Sequence, residues 1–523
     1  MNHQYQENSA KSAHPSSQLT GKEPSPAYFP TILRHSSDEL ALAEKCIKKL
    51  VVDSQFFPSS GAAECWFSTS HSDSESNDQI HPHEASTTVT ALFEDELRVG
   101  ELLGTGGFCQ VRMVRLEENN ERVAFQHKQR QLLSEVDEDP SMRQYAIKYL
   151  RPNIKQKGRK AFSRGAADLA IEARFLSLLS HENIITLHYV SAGTLQETYN
   201  CSEDSSGDSN EMSLRKFGYF LVLDYLHGTL DQRVEDTYVP QVTKLLGEHP
   251  NKHHEHHQCD TRHHSFSFGL HRLDQNHSHR WHFSARRHRV QNTNVQALQR
   301  LLAQRLTVLK SIASALHYLH EKNIIFRDIK PNNIGFFNNE REEIPKLFDF
   351  GLVKEMKQSS KAWYDHDCHP VYKLTGRTGS RRYMSPEVAF SQPYNEKADV
   401  YSFGILLYEI SSLVHPFEGW TFDAHEEQVL KKHHRPCLIG YTYWPKQLSR
   451  LISDCWEAVM WKRPDMAEVC RRLDDCIEVL ITGSDVSVVD HSNKCGKDGH
   501  ESRSKLKQYF SSAVPVLHMH RHQ

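Results

Sequence analysis

One short stretch of the chain carries a carboxylate, an amine and an amide at close spacing. Asp328, Lys330 and Asn333 occupy relative positions 0, 2 and 5, and an Asp-Phe-Gly sequence begins at Asp349, sixteen residues after Asn333. Phosphoryl transfer requires acidic and amide ligands for Mg²⁺ and a carboxylate oriented towards the attacking hydroxyl. The types and order of these side chains therefore favour phosphoryl-transfer chemistry.

A glycine-rich segment from Leu103 to Val111 offers a backbone cradle for a triphosphate. It contains Gly104, Gly106 and Gly107 and lies between two strand-like runs. Glycines let backbone N–H groups approach phosphates without obstruction by a Cβ atom. Taken alone, such a segment is equally typical of an ordinary β-turn.

Lys148 is the one charged residue in the apolar, strand-like run from Tyr145 to Leu150. A buried cation requires a counter-charge, and Glu172, on an amphipathic stretch downstream, can supply it. The alternative is that Lys148 is a surface charge of an edge strand and that Glu172 is an ordinary solvated carboxylate.

The elements that must position these residues change in type along the chain. From Leu97 onwards apolar residues alternate as in strands, whereas after Asn294 they recur at helical intervals. We therefore predict an α+β fold with a mainly β first lobe and a mainly α second lobe. The helical stripe that leads into Asp328 consists of Leu298, Leu302, Leu306, Leu309, Ala313, Leu316 and His320.

Composition and charge exclude several classes of function. Lys and Arg number 63 against 66 Asp and Glu, a net charge of -3, so bulk electrostatics favour neither nucleic acid nor an acidic membrane surface. No stretch approaches the roughly 20 apolar residues of a membrane span, and the first residues lack a signal-peptide pattern. The 11 cysteines are scattered singly, which is typical of a reducing compartment. We expect a soluble, cytoplasmic and/or nuclear protein.

Polar, low-complexity stretches predict the domain boundaries. Residues 1–92 are expected to be largely disordered, except that positions 36–52 have the periodicity of an amphipathic helix. That helix would either pack on the folded part or on a partner, or form only transiently. The predicted domains are a first lobe at 93–226 with insertions at about 116–142 and 193–216, a second lobe at 227–482 with an insertion at about 233–293, and a disordered tail at 483–523.

The third predicted insertion is rich in histidine, as at His253, His254, His256 and His257. Such a segment could bind a transition metal and make the protein a metal-sensing or metal-buffering module. The alternative is a solvated low-complexity loop, which the lack of defined zinc-site spacing favours.

From about Leu97 to Leu480, apart from the insertions, the chain resembles the eukaryotic protein kinase family. The resemblance is carried by the glycine-rich segment, by Lys148, by the stretch from Asp328 to Asn333 and by Asp349 with its Phe-Gly. It implies the bilobal kinase fold, with a small mainly β lobe and a larger mainly α lobe. It also implies an enzyme that uses ATP together with Mg²⁺ or Mn²⁺.

The resemblance assigns the catalytic roles residue by residue. Asp328 matches the catalytic-loop aspartate, and Lys330 matches the lysine near the transferred phosphate. Lys148 matches the lysine on the α- and β-phosphates, with Glu172 as its partner on a helix.

The same resemblance implies the metal and nucleotide contacts. Asn333 and Asp349 match the two metal ligands. A hinge is expected after the gatekeeper Leu223, and its backbone groups would reach the adenine edge. The remaining expected nucleotide contacts are Leu103, Gly104, Thr105, Gly106, Gly107, Val111, Ala146, Asp224 and Leu226.

Three residues depart from the family's pattern. Cys109 stands where the third glycine usually lies, so the turn is expected to lose backbone freedom. Phe326 replaces a histidine and is expected to pack against Phe350 and Leu176. Ser385 replaces an alanine in a turn. None of these changes removes a group that would touch metal or transferred phosphate.

The resemblance also implies the class of kinase. Lys330 is typical of serine/threonine kinases, with Ser380 expected to bridge Asp328 and Lys330, whereas the segments 399–409 and 455–464 resemble the tyrosine-kinase-like group. A serine/threonine member of that group, acting on protein substrates in intracellular signalling, reconciles both signals. The alternative is a pseudokinase scaffold, against which the retention of the ionic residues argues.

Regulation by phosphorylation is a further expectation from the resemblance. Arg327 directly precedes Asp328, and in the family this arginine commonly meets a phosphorylated residue of the activation segment, here residues 349–387. Thr375 and Thr378 are the expected acceptors for an upstream kinase, and the alternative is that these hydroxyls only keep a surface loop soluble. As scaffolding, Glu387 is expected to pair with Arg463.

Overall fold

A computed structural model of the chain describes residues 37–51, 54, 56–57, 89–117, 143–157, 159–193, 195–199, 217–247, 292–339, 342–366 and 368–483. These residues divide into two units, which differ in type as the sequence predicted. The first unit takes its described residues from 1–52, 58–178 and 186–225, and the second takes them from 53–57, 179–185 and 226 onwards.

The first unit is built on a six-stranded sheet with the order β1-β5-β6-β4-β3-β2. All neighbouring strands are antiparallel except β1 and β5. Alternating side chains such as Val114, Ile147 and Val222 are fully buried beneath one face and form its core. The strands are β1 Thr90–Leu92, β2 Leu97–Thr105, β3 Cys109–Leu116, β4 Tyr145–Leu150, β5 Leu187–Ser191 and β6 Phe220–Asp224.

Three helices complete the first unit: α1 Ser37–Val51, α2 Arg159–Leu178 and α3 Leu195–Tyr199. The helix expected at positions 36–52 is thus present, and it packs against α2. Leu40, Ala43 and Ile47 lie on one side of it at helical spacing, and all three are buried.

The second unit is mainly helical, around the long helix that the stripe from Leu298 to His320 predicted. That helix packs against three others, and its five stripe leucines have no exposed surface. The helices are α4 Leu230–Arg233, α5 Val239–Leu246, α6 Asn292–Glu321, α7 Pro386–Ala389, α8 Lys397–Ser412, α9 Phe422–His425, α10 Lys446–Cys455 and α11 Met466–Thr482.

Three two-stranded sheets hold the loops of the second unit in place. β8 pairs with β9, β7 with β10, and β11 with β12, in each case antiparallel. The strands are β7 Ile324–Ile325, β8 Ile334–Asn338, β9 Glu343–Leu347, β10 Lys354–Glu355, β11 Lys361–Tyr364 and β12 Pro370–Tyr372.

The insertion predicted at 233–293 begins too early. A π-helical turn, Val234–Tyr238, continues α4 into α5, and it buries Val234 and Tyr238, while α5 buries Val242. The four-residue spacing of these apolar side chains is a helical signal that the polar, histidine-rich residues downstream obscured. The histidine-rich part itself lies outside the described residues.

Other predicted boundaries also shift. The insertion at 193–216 contains α3, whose Leu195 and Tyr199 are buried, and Leu116 is a buried strand residue. Sheet structure already begins with β1, before the predicted first lobe. Residues 179–185 belong to the second unit because Asn183 bonds to β9, its side chain to the Pro345 carbonyl at 3.0 Å. The rest of the predicted insertions, and nearly all of the predicted terminal regions, lie outside the described residues.

Across the described residues, no helix combines the length and the apolar character needed to cross a membrane.

Candidate active site

The glycine-rich segment forms the turn between β2 and β3 in the first unit. Thr105 pairs with Gln110 and Gly104 with Val111, and the Gly106 N–H closes the turn on the Cys109 carbonyl at 2.8 Å. A Cβ atom added to Gly104 or Gly107 would meet nothing within 4 Å, and one on Gly106 would meet only the Cys109 carbonyl oxygen, at 3.7 Å. The turn therefore has open space beside its glycines, which is what a phosphate cradle needs.

Cys109 is compatible with the backbone conformation of the turn. It is the first residue of β3, where it pairs with Leu150 of β4 in an antiparallel register. Its φ is not among the positive values found at nine non-glycine positions of the described chain. Because no left-handed conformation is required here, a side chain replaces the expected glycine without backbone strain.

Lys148 and Glu172 form the ion pair that the sequence predicted. The Lys148 Nζ lies 2.8 Å from Glu172 Oε1 and 2.6 Å from Oε2, and the two side chains are 13% and 2% exposed. β4 positions the lysine and α2 the glutamate. The alternative of a solvated surface charge is therefore wrong for both residues.

At the end of β6 the Asp224 side chain bonds to residues just before and within β5, a role that the sequence did not indicate. Its carboxylate accepts from the Thr186 N–H and meets His188 Nε2, each at 2.8 Å, and it is almost completely buried. Its own N–H donates to the Thr186 carbonyl. Leu223, the expected gatekeeper, and Ala146 are buried partners in adjacent strands. The adenine contact of Asp224 remains a prediction.

In the second unit the Asp328 carboxylate is held by three donors. Lys330 Nζ donates to its Oδ2 at 2.7 Å, Asn333 Nδ2 to the same oxygen at 2.9 Å, and the Ser380 N–H to its Oδ1 at 2.8 Å. Lys330 Nζ also reaches Ser380 Oγ at 3.0 Å. The predicted bridge from Ser380 to Asp328 and Lys330 is confirmed. Together these bonds fix the direction in which the carboxylate points.

Asp399, near the start of α8, anchors the backbone of this loop. Its carboxylate has no exposed surface and accepts from the Phe326 and Arg327 N–H groups, each at 2.8 Å. His320 at the end of α6 contacts the same carboxylate at 3.0 Å. The sequence did not predict this contribution of His320, although His320 belongs to the predicted stripe.

Phe326 packs as expected on Phe350, with ring centroids 5.3 Å apart in an edge-to-face arrangement. Both rings are fully buried. The aromatic replacement at position 326 therefore preserves apolar packing between the Asp328 loop and the Asp-Phe-Gly sequence.

The candidate metal ligands lie at one end of the β8–β9 hairpin. Ile334 pairs with Leu347, so the residues just outside this pair are Asn333 and Phe348, and the Phe348 N–H donates to the Asn333 carbonyl. Asp349 follows with a left-handed backbone, φ 65°. Carboxylate and amide oxygens suit Mg²⁺ or Mn²⁺. Nowhere in the described residues do three or more His, Cys, Asp or Glu side chains form a metal-binding group by themselves.

The guanidinium of Arg327 contacts uncharged oxygens in the second unit. Its Nε donates to the Leu352 carbonyl at 2.6 Å, and its Nη1 lies 3.4 Å from the Tyr394 hydroxyl. That hydroxyl in turn donates to the Thr375 carbonyl at 2.7 Å. Arg327 is thus already connected to the stretch that contains the two expected phosphate acceptors.

Comparison with known proteins agrees with this geometry. Residues 288–473 match the protein kinase domain family. The chain is 39% identical over 175 residues to serine/threonine-protein kinase VIK of Arabidopsis thaliana, a segment that covers 32% of this chain and 37% of that protein. It is 31% identical over 216 residues to serine/threonine/tyrosine-protein kinase HT1 of the same plant, covering 39% and 50%.

A third relative comes from a different organism. Dual specificity protein kinase shkB of Dictyostelium discoideum is 35% identical over 169 residues, which cover 32% of this chain and 24% of that protein. The chain thus spans between about a quarter and a half of the length of these three relatives. The stretch from Asp328 to Asn333 and the Asp-Phe-Gly sequence both lie within the residues that match the protein kinase domain family, and the chain is similar to serine/threonine, serine/threonine/tyrosine and dual specificity kinases.

Proposed function

We propose that the chain transfers the γ-phosphoryl group of ATP to serine or threonine hydroxyls of other proteins. The observation that carries this proposal is the Asp328 carboxylate, which three donors hold in one orientation beside Lys330 and Ser380. A carboxylate fixed in this way can orient a substrate hydroxyl and accept its proton.

Each unit, taken by itself, carries groups for a part of this chemistry. The first unit would contact ATP through the backbone of its glycine turn and through Lys148, which Glu172 orients towards the phosphates. The second unit would hold Mg²⁺ or Mn²⁺ with Asn333 and Asp349, and a bound metal would neutralise phosphate charge. The remaining nucleotide contacts proposed are Leu103, Thr105, Val111, Ala146, Asp224 and Leu226.

Lys330 and Ser380 support serine and threonine as acceptors. Lys330 Nζ contacts both Asp328 and Ser380 and can neutralise charge that develops near the acceptor oxygen. Two relatives carry "dual specificity" and "serine/threonine/tyrosine" in their names, so a tyrosine acceptor is the second candidate. A pseudokinase scaffold is not favoured, because the ionic residues of catalysis are retained and paired.

The test is a phosphotransfer assay on the full chain with generic protein substrates, followed by phosphoamino-acid analysis. We expect phosphoserine and phosphothreonine, and we expect Asp328→Asn to lower turnover by at least ~100-fold because a group of the transition state is lost. Asp236→Asn, an exposed carboxylate in the same unit, is the matched control. Near-normal turnover of Asp328→Asn would contradict the assignment of the base.

Nucleotide binding is measured separately by thermal stabilisation. ATP should stabilise the wild type and Asp328→Asn equally in Mg²⁺, and much less in EDTA, since Asn333 and Asp349 are too few to hold a metal without phosphates. If ATP raised the melting temperature equally in EDTA and in Mg²⁺, the proposed role of the metal in nucleotide binding would be wrong.

Regulation and location follow as parts of the same proposal. Thr375 is exposed and Thr378 half-buried, and an upstream kinase acting on either would add charge close to the Arg327 network. Six cysteines within the described residues are free thiols, which supports action in the reducing cytoplasm or nucleus: Cys46, Cys368, Cys437, Cys455, Cys470 and Cys476.

A further inference from the structure

The chain ahead of the first sheet packs on the helix that carries Glu172. Leu40, Ala43 and Ile47 are 1%, 0% and 2% exposed, whereas Leu42, on another side of α1, is 46% exposed. α1 therefore presents one apolar side to the first unit, in which its main contact is α2.

α2 has buried side chains on more than one side, so more than one neighbouring element must pack against it. Ala166, Ala167, Leu169 and Ala170 are all buried, although these positions point in several directions around the helix axis. On one side α2 packs against β4, β5 and β6, and α1 covers another. The position of Glu172 therefore depends on α1 as well as on the sheet.

A second anchor follows three residues after α1 ends, and it belongs to the second unit. Ser54 Oγ donates to Glu355 Oε2 at 2.6 Å, and the Phe56 N–H donates to Glu355 Oε1 at 2.9 Å. The Phe57 N–H donates to Ser54 Oγ at 2.8 Å, and Phe57 is 1% exposed.

Glu355 is a buried carboxylate, 1% exposed, in β10 of the activation segment. β10 pairs with β7, which leads directly into Phe326 and the loop of Asp328. A buried carboxylate needs hydrogen-bond donors to offset its lost hydration, and the Ser54 hydroxyl and Phe56 N–H are two of them.

We propose that the described residues 37–51, 54 and 56–57 are a built-in positioning segment of this kinase. α1 holds α2 so that Glu172 stays on Lys148, and Ser54 with Phe56 holds β10 through Glu355. This inference rests on the proposed function, and its residues act through others, since none of them contacts reacting atoms.

The first test uses Ile47→Ala in the full chain, with Leu42→Ala as the matched control on the same helix. Amide exchange across 159–178 should become about tenfold faster in Ile47→Ala, at a temperature where the variant is still folded. KM for ATP should rise by about threefold or more, because Glu172 no longer holds Lys148 firmly. Ile47→Val should restore both readouts, and Leu42→Ala should change neither.

The second test addresses the Glu355 anchor with Ser54→Ala and Ser54→Asp. Ser54→Ala removes one hydrogen-bond donor to Glu355. Ser54→Asp places a negative charge beside the Glu355 carboxylate, although the two residues are 301 positions apart in sequence. We expect turnover to fall by about threefold in Ser54→Ala and further in Ser54→Asp. Ser453→Asp, an exposed serine on α10, is the control and should retain wild-type turnover.

Unchanged exchange across 159–178 and unchanged KM for ATP in Ile47→Ala would overturn the role of α1, even if the melting temperature fell. Wild-type turnover in Ser54→Asp would overturn the role of the Glu355 anchor. A wild-type chain without phosphotransfer would instead contradict the proposed function, and the exchange measurement would still test α1 because it requires no turnover.

Discussion

Arg463 and Glu387 form a bidentate ion pair in the interior of the second unit, as the sequence predicted. Nη1 lies 2.6 Å from Oε1 and Nη2 3.0 Å from Oε2, and the two residues are 1% and 7% exposed. Arg463 Nη1 also donates to the Lys397 carbonyl at 2.9 Å. Burial tends to raise the pKa of Glu387, but the guanidinium of Arg463 outweighs it, and the pKa is lowered overall.

We expect Arg463→Met to destabilise the second unit strongly, by about 3–5 kcal/mol, because it leaves the Glu387 carboxylate buried without its counter-charge. Urea unfolding at pH 7 measures the loss. The double variant Arg463→Met with Glu387→Met should recover much of it, since no unpaired charge remains. A single variant within about 0.5 kcal/mol of the wild type would show that the pair is dispensable for stability.

His425 makes the stability of the second unit depend on pH. The ring is 6% exposed and packs edge-on against Phe417, and neither ring nitrogen has a hydrogen-bond partner among the described residues. Burial, together with the charges of Arg381, Arg382 and Arg435, lowers the pKa of His425 to about 4. The unfolded chain, with a His pKa near about 6.5, therefore binds a proton between these values that the folded chain does not.

By linkage, this histidine lowers the free energy of unfolding as pH falls from about 6.5 towards about 4, by at most about 3 kcal/mol. We expect His425→Gln to remove that part of the pH dependence. Urea unfolding at pH 5.0 and pH 7.5 gives the difference for each protein. His317→Gln, at a more exposed histidine on α6, is the matched control. Parallel slopes for His425→Gln and the wild type would disprove the assignment.

The chain between α5 and α6 should be replaceable. Asn294 Nδ2 donates to the Leu245 carbonyl at 2.7 Å, so the ends that flank residues 248–291 are already close together. We expect a short Gly-Ser linker in place of 248–291 to preserve a cooperative melt. The free energy of unfolding should rise by roughly 1 kcal/mol, because closing a shorter loop costs less conformational entropy.

The control extends the replacement back to residue 234. This larger deletion removes the buried side chains of Val234, Tyr238 and Val242 and should cost several kcal/mol, roughly 2–5 for each large side chain lost. If the shorter replacement also aggregated or lost its melt, residues 248–291 would have to be part of the folded core.

Phosphatase treatment should lower the activity of the purified enzyme, and Thr375→Ala combined with Thr378→Ala should reproduce the loss. Phosphate on Thr375 would lie close to the Tyr394 hydroxyl that contacts Arg327, and charge-assisted bonds would order the segment. Ser359→Ala, at an exposed position farther in sequence from Gly379 and Ser380, serves as the control. An active enzyme that mass spectrometry finds unmodified between Asp349 and Glu387 would rule this regulation out.

The ion pairs of the site could be predicted from the sequence because each has its own local signature. Lys148 is a cation in an apolar run, and Asp328 and Lys330 belong to one short motif. The contact of Ser54 with Glu355 could not be predicted, because its partners are 301 positions apart and neither sits in a distinctive pattern. The order of apolar and polar residues along the chain predicts which side chains are buried, but it does not identify which residues far apart in sequence contact each other.

Local signals were also lost where composition changed abruptly. Val234, Tyr238 and Val242 have helical spacing, but the polar and histidine-rich residues that follow led to the prediction of an insertion over the whole range. The hairpin of β11 and β12 inside the activation segment was likewise not predicted, since its strands have only four and three residues and are largely exposed at β11.

Asp399 holds the backbone of the Asp328 loop in a conformation that is unfavourable for the loop's own residues. Arg327 has φ 72° and Asp349 φ 65°, conformations that cost a non-glycine residue of the order of 1–3 kcal/mol. The carboxylate of Asp399 accepts from the Arg327 N–H and so holds the first of these torsions from within α8. A peptide of residues 324–334, or the same residues grafted onto another scaffold, would therefore relax to ordinary torsions. Its Asp328 carboxylate would also lack the Ser380 N–H donor and so lose its fixed orientation.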